Sequence, residues 1–436
     1  MVWLATALLM GQMPVARSSP PDWLLNAPLD SLASVSAMRI REGQMTQSYY
    51  QGFRVLDESG SKPVNENSLF RIASVSKLVT AIGFMQLVES GLVGLDDDIS
   101  THLGFRLRHP RFPGVVITPA MLLSHTSGIR DGRVYSIPPD HKLQAFFEPG
   151  SVWFEDGAHF ARNEAGQPRA PGDWFEYANL NYGVLATMME SISHQRFDHY
   201  MTEKVLQPLG IEGGYNLRLL NDGALENLSV LYRKVDGRFL SQADDIGGQR
   251  PDQTIRVENP DSENKEEALS ASLNDYVIGS NGTVFSPQGG LRISLSGLAR
   301  ITRLMMNRGE LDGVRLLRPD TVEHMESPYW IFMPAEPNGD TYGGIFQQYG
   351  LGVHRLMGRR TSNGGDMPFP GYQPVLMGHL GEAYGLLSAM LYDPQTMDAY
   401  LYIINGTPPE LDSCPGEYSS FYCWEEAVLS GLKQSP

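Results

Sequence analysis

Cysteine is almost missing from this chain: Cys414 and Cys423 are the two copies in 436 residues. They form no C-x-x-C pair and no Cys/His cluster, and no H-E-x-x-H occurs, so the ligand spacing of a metal site is absent. The sequence therefore calls for no metal and no other cofactor. Basic residues are also in deficit, 34 against 50 acidic ones, for a net charge of −16. That imbalance argues against nucleic acid and anionic membrane surfaces as partners.

The apolar start, Val2 to Met10, is too short to cross a bilayer. It reads as the core of a secretory signal within residues 1–18, with small residues at Ala16 and Ser18 for cleavage, although the basic lead is missing. A buried or disordered N-terminal arm is the alternative. Cys414 and Cys423 bracket Pro415-Gly416 and suit one disulfide in an exported protein. Two free thiols of a cytosolic protein are the other reading.

What is present is apolar content of 42%, charged content of 19%, 45 glycines and 29 prolines, as in a globular enzyme with many turns. Residues 27–433 read as one domain. Val35–Arg41 and Thr46–Leu56 are expected to form a hairpin around Glu42-Gly43-Gln44. Thr118 and Pro119 start a short helix expected to end at Gly128, and Phe175–Glu190 leads into an amphipathic helix. Residues 220–275 are polar and read as a surface insertion. Pro374–Leu380, Gly385–Asp393 and Ala399–Asn405 look like buried strands, and Trp424–Lys433 like a final helix. Strands at both chain ends with helices between imply an α+β fold, an antiparallel sheet built from the two termini around a mainly helical region.

The chemistry centres on Phe70–Ser90, which contains Ser74-Val-Ser-Lys77. Val75, Leu78, Val79, Ile82, Met85 and Leu87 recur at helical spacing, and no charge follows Lys77 until Glu89, so the helix should be buried on most sides. A serine and a lysine three residues apart sit one turn apart, with Cβ atoms roughly 5–6 Å from each other. A serine hydroxyl becomes a nucleophile when a base takes its proton, and burial lowers a lysine's pKa far enough for that role. His125, at the end of a short helix, is read as structural. Asp96-Asp97-Asp98 is read as a cap or solvated turn rather than a cation site.

Tyr177-x-Asn179 and His379-x-Gly381 follow Ser74-x-x-Lys77 in order. With Leu123-Leu-Ser-His-Thr-Ser-Gly128 and Gly289-Gly-Leu291, these motifs make residues 35–405 resemble the penicillin-recognising serine hydrolases, in the branch around the class C β-lactamases. That branch includes D-alanyl-D-alanine carboxypeptidases, D-aminopeptidases and β-lactamase-like esterases. The resemblance implies a β-lactamase/transpeptidase-like fold with Ser74 as nucleophile, Lys77 as its base and Tyr177 as second acid/base. Asn179 would hold the lysine or the substrate amide, and His379 would orient Tyr177 or a substrate carboxylate. The backbone N–H groups of Ser74 and Glu382, beside Gly381, would form the oxyanion hole.

Two departures matter. His379-Leu380-Gly381 stands where class C β-lactamases carry Lys-Thr-Gly, which removes a fixed charge and a hydroxyl donor for a β-lactam carboxylate. Ala178 replaces the usual serine. The implied function is hydrolysis of an ester, amide or short peptide through a Ser74 acyl-enzyme, with an esterase first. A D-alanyl-D-alanine carboxypeptidase or D-aminopeptidase, or a catalytically weak penicillin-binding protein, is the alternative. An α/β-hydrolase is excluded by the absence of a G-x-S-x-G elbow.

Overall fold

The computed structural model describes residues 21–26, 28–57, 60–163, 165–257, 268–361, 364–371 and 375–435. The expected signal segment lies outside them. The N-terminal hairpin forms from β1 (Ser34–Arg41) and β2 (Gln44–Val55), and a short β3 (Lys62–Pro63) extends it. Far along the chain come β4 (Trp330–Ile331), β5 (Gln348–Tyr349), β6 (His354–Leu356), β7 (Leu376–Ala383), β8 (Leu386–Asp393) and β9 (Asp398–Asn405). Among the described residues they form one sheet in the order β4-β5-β6-β7-β8-β9-β1-β2-β3. The pairings are antiparallel throughout, and β1 lies against β9 with Val35 opposite Ile404. The two ends of the chain thus close one sheet.

Four longer helices frame it: α1 (Ser76–Glu89), α2 (Leu180–Ser193), α3 (Leu295–Met306) and α4 (Cys423–Gln434). The central strands read as continuous apolar runs because both faces are covered. Alternate residues divide between two cores. Leu387, Ala389, Leu391, Tyr402 and Ile404 pack with Val428, Leu429 and Leu432 of α4, whereas Leu386, Met390, Leu401 and Ile403 join the core of α1, α2 and α3. Arg39 locks β1 to α4, donating from one nitrogen to the carbonyls of Leu432, Lys433 and Ser435 at 2.9–3.2 Å.

Several boundaries differ from expectation. The helix after Pro119 ends at Leu123, not Gly128; Thr118 caps it as expected, and His125 beyond it takes a left-handed φ of 58°. α2 is buried from Leu180 to Glu190, so it is enclosed rather than amphipathic. β7 runs on to Ala383, placing His379-Leu380-Gly381 inside the strand. Residues 220–275 carry two hairpins, Leu231–Val235 with Arg238–Ala243 and Thr254–Val257 with Leu269–Ser272. Asp98 braces a turn, bonding the Ser100 N–H and pairing with Arg108.

Cys414 and Cys423 form a disulfide, with Cα atoms 5.3 Å apart, at the start of α4. The loop is short, so the cross-link is worth about 2–3 kcal/mol on the chain-entropy account. Replacing both cysteines with serine should lower the urea midpoint by a corresponding amount and leave kcat/KM of the folded protein within about twofold. An unchanged midpoint would contradict this.

Candidate active site

Ser74 lies in a single tight turn, Ala73–Val75, that runs into α1. Ala73 before it has φ 48°, a left-handed conformation costing a non-glycine residue roughly 1–2 kcal/mol. Surrounding bonds hold the turn there. Ile72 N–H donates to the Leu291 carbonyl at 3.0 Å, and Ser388 Oγ donates to the Ile72 carbonyl at 2.8 Å. Ser76 Oγ accepts from Leu291 N–H at 3.1 Å, which makes Ser76 structural. β7 crosses so closely that a Cβ on Gly381 would stand 2.7 Å from the Ile72 carbonyl and 3.1 Å from Ser74 N. The motif glycine is therefore a condition of close approach.

Lys77 is completely buried, while Ser74 stays partly open. Its Nζ lies 3.0 Å from Ser74 Oγ, 2.8 Å from Asn179 Oδ1 and 3.1 Å from the Gln288 carbonyl. Burial pushes its pKa down to about 7, against a smaller upward pull from Asp131. A neutral amine with two N–H groups on the two carbonyl oxygens turns its lone pair toward Ser74 Oγ.

Asp131 sets the Asn179 amide. Its carboxylate accepts Asn179 Nδ2 at 2.8 Å, Asn179 N–H at 3.0 Å and Leu180 N–H at 2.9 Å. It caps α2 from a remote loop, and the Asn179 side chain makes no cap hydrogen bond of its own. With Nδ2 taken, only Oδ1 can face Lys77. Burial raises the Asp131 pKa, and its hydrogen bonds and Lys77 oppose the rise.

The Tyr177 ring lies 4.7 Å from Lys77 Nζ, stacks on Phe346 at 5.1 Å and sits 4.4 Å from the His125 ring. Its hydroxyl is enclosed, and burial raises its pKa well above 10 despite a hydrogen bond with the Ser74 side chain. Tyr177 therefore rests protonated. His125 Nδ1 accepts from Ala178 N–H at 3.1 Å and neighbours Asn181 Nδ2 at 3.2 Å. This histidine shapes the Tyr177 loop.

His379 does not bond Tyr177; the rings are 6.1 Å apart. Its Nδ1 pairs with the Leu380 carbonyl at 2.5 Å and its Nε2 with Tyr349 Oη at 2.8 Å. Burial and Lys77 hold its pKa well below 6.5, so the ring is neutral. The Glu382 side chain is exposed and follows Gly381 in β7.

Asp131, Gln288 and Tyr349 are site residues that sequence reasoning missed. Asp131 stands in an apparent loop, and Gln288 acts through its carbonyl, which no side chain announces. The Gly289-Gly-Leu291 stretch beside Gln288 was the available signal.

A strained serine turn against an antiparallel sheet, with serine, tyrosine and asparagine around one buried lysine, defines the β-lactamase/transpeptidase class of serine hydrolases. The sequence profile described as Beta-lactamase matches residues 27–418, and the chain belongs to that family. Penicillin-binding protein 4* of Bacillus subtilis (strain 168) is 29% identical over 177 residues, 39% of this chain and 36% of the relative. Protein flp of Staphylococcus aureus (strain N315) is 24% identical over 178 residues, 41% and 34% of the two chains. The chain thus spans about a third of the length of these curated relatives. Among solved structures, D-amino acid amidase from Ochrobactrum anthropi SV3 with D-phenylalanine superposes with TM-score 0.60 at 19% identity, over 95% of this chain and 98% of the other. The octameric penicillin-binding protein homologue from Pyrococcus abyssi gives 0.58 at 20%, over 94% and 74%.

The acid limb of the kcat/KM profile should fall near pH 7, where Lys77 titrates, because burial holds the pKa of both nearby histidines well below 6.5. Asp131 raises the Lys77 pKa, so Asp131→Asn should move this limb to lower pH while cutting kcat about tenfold to a hundredfold through the freed Asn179 amide. A limb that stays in place would remove Asp131 from the site. Gly381→Ala should abolish labelling of Ser74 by a fluorophosphonate without unfolding the chain, and full labelling would contradict the close approach.

Proposed function

We propose that this protein is an esterase that hydrolyses small esters through a Ser74 acyl-enzyme. Neutral Lys77 takes the Ser74 proton as Oγ attacks the substrate carbonyl carbon. The oxyanion lies between the N–H groups of Ser74 and Glu382. The proton passes from Lys77 through the Tyr177 hydroxyl to the leaving oxygen, and the carbon–oxygen bond breaks. Water then attacks the acyl-enzyme, giving up a proton through the same groups, and Ser74 leaves protonated with the acid product released. Lys77 at 3.0 Å from Ser74 Oγ, with its other contacts made to carbonyl oxygens, carries this reading. The protonated resting state of Tyr177 supports its role as proton donor and relay rather than first base. The disulfide supports an exported location.

The preference for esters over β-lactams rests on His379 and Leu380. A β-lactam carries a carboxylate beside its reactive amide. His379 is neutral with both ring nitrogens engaged, and Leu380 has no donor. A charge-assisted hydrogen bond is worth about 1.5–3 kcal/mol, so its loss corresponds to roughly tenfold to a hundredfold in rate.

Ser74→Ala should abolish turnover of p-nitrophenyl butyrate, and a phosphonate adduct should map to the peptide holding Ser74. Nitrocefin should be cleaved with lower kcat/KM than the ester. A nitrocefin value equal or higher would overturn the preference, and an adduct on Ser76 or Ser127 would overturn the mechanism.

A further inference from the structure

A cavity of about 1040 Å³, lined in part by Arg71 and Tyr384 from the segments that carry Ser74 and Glu382, has no part in the mechanism above. One wall comes from residues 241–256 of the polar insertion, and the other includes Arg71, Ser286, Arg292 and Tyr384. These second-wall residues belong to the catalytic segments. Arg71 precedes Ser74 by three residues, Tyr384 follows Glu382 by two, and Ser286 precedes Gln288 by two. Arg71 Nε donates to the Gly289 carbonyl at 3.1 Å, and its guanidinium lies 5.0 Å from the centre of the Tyr384 ring.

The direction along β7 fixes which part of a substrate the cavity would meet. His379 lies on the Tyr177 side, Gly381 against Ser74, and Tyr384 lines the cavity just past the strand end. Along β7 the cavity therefore lies beyond Gly381, on the side away from His379 and Tyr177. A leaving group that takes its proton from Tyr177 directs the acyl part toward the cavity.

The lining carries five arginines and three aspartates in a chain of net charge −16. Arg292 is closed on buried Asp244 by bonds of 2.9 and 2.5 Å, and Arg250 pairs with Asp222 at 2.8 Å. Arg71, Arg218 and Arg256 make no ion pair with a carboxylate among the described residues. The carbonyls of Asp252 and Thr254 hold Arg218 in place without neutralising it. Asp245 and Asp252 offset part of the charge, and the lining keeps a positive surplus. Within an acidic protein, such a local surplus in a cleft concentrates anions, and guanidinium–carboxylate bonds are among the stronger hydrogen bonds.

We infer that this cavity is an acyl-group subsite for chains ending in a carboxylate, which makes half-esters or half-amides of dicarboxylic acids the favoured substrate class. The inference rests on the Ser74 hydrolase reading. Its test compares 4-nitrophenyl hexanoate with 4-nitrophenyl hydrogen adipate, equal in chain length and different in one carboxylate. The adipate should be favoured roughly tenfold in kcat/KM at low salt, with the ratio shrinking in concentrated sodium chloride. Arg71→Gln should collapse the ratio through KM, Arg71→Lys should keep most of it, and Arg256→Gln, on an exposed strand, should lower it. A wild-type ratio of one or less, or a ratio unmoved by both glutamine variants, would overturn the subsite while hexanoate turnover leaves the hydrolase reading standing. If neither ester is cleaved and Ser74 takes up no fluorophosphonate, both readings fall.

Discussion

Lys77 is the constraint on which the site depends. An ammonium removed from water costs several kcal/mol unless it is paired or neutralised, and this side chain is wholly buried. The structure gives it carbonyl oxygens and a hydroxyl rather than a carboxylate at bonding distance. Asp131, the nearest compensating charge, is one residue removed and spends its oxygens on Asn179 and the start of α2. The charge therefore reaches Lys77 through space, enough to limit the fall in its pKa but not to keep it near the ordinary lysine value. A carboxylate in direct contact would have fixed the ammonium form and left Ser74 without a base.

The surroundings of Ser74 show where the fold stores strain. Ala73 occupies a left-handed conformation, and Gly381 leaves no room for a side chain. Both conditions are held by bonds that reach across the chain, from Ser388 on β8 and Leu291 before α3. Closing the sheet from both chain ends is what brings these partners together. The fold's long-range pairing and the local geometry of the nucleophile are thus one construction.

Much of this was legible in sequence. The run from Leu386 to Asp393 is apolar without alternation, which is how a strand covered on both faces reads, and β1 and β2 flank their expected turn. Ser74 and Lys77 lie one turn apart as their spacing implied, while the position of Tyr177 and Asn179 beside Lys77 was implied by the family resemblance alone. Other features were not legible because their cause lies outside the local chain. Asp131 follows Arg130 in what reads as a loop, and its role appears only once α2 begins beside it. The helix after Pro119 stops at Leu123 because the segment beyond it turns to join Asn181, through Ser127 Oγ at 2.7 Å and His125. The two nitrogens of His379 turn to Tyr349 and a neighbouring carbonyl, a pairing that needs β5 and β7 in register two strands apart. Residues 220–275 looked like surface by polarity, yet the insertion walls a cavity shared with Arg71 and Tyr384.

The central claim is that Lys77 titrates near neutrality, so that a free amine is well populated at neutral pH. The direct measurement is a pH titration of its side-chain nitrogen by NMR on protein labelled with 15N-lysine, assigned by the signal lost in Lys77→Arg. A midpoint near 7 for that one lysine is the result this account gives. A resonance that remains ammonium-like to about pH 10, near the ordinary lysine value, would contradict it.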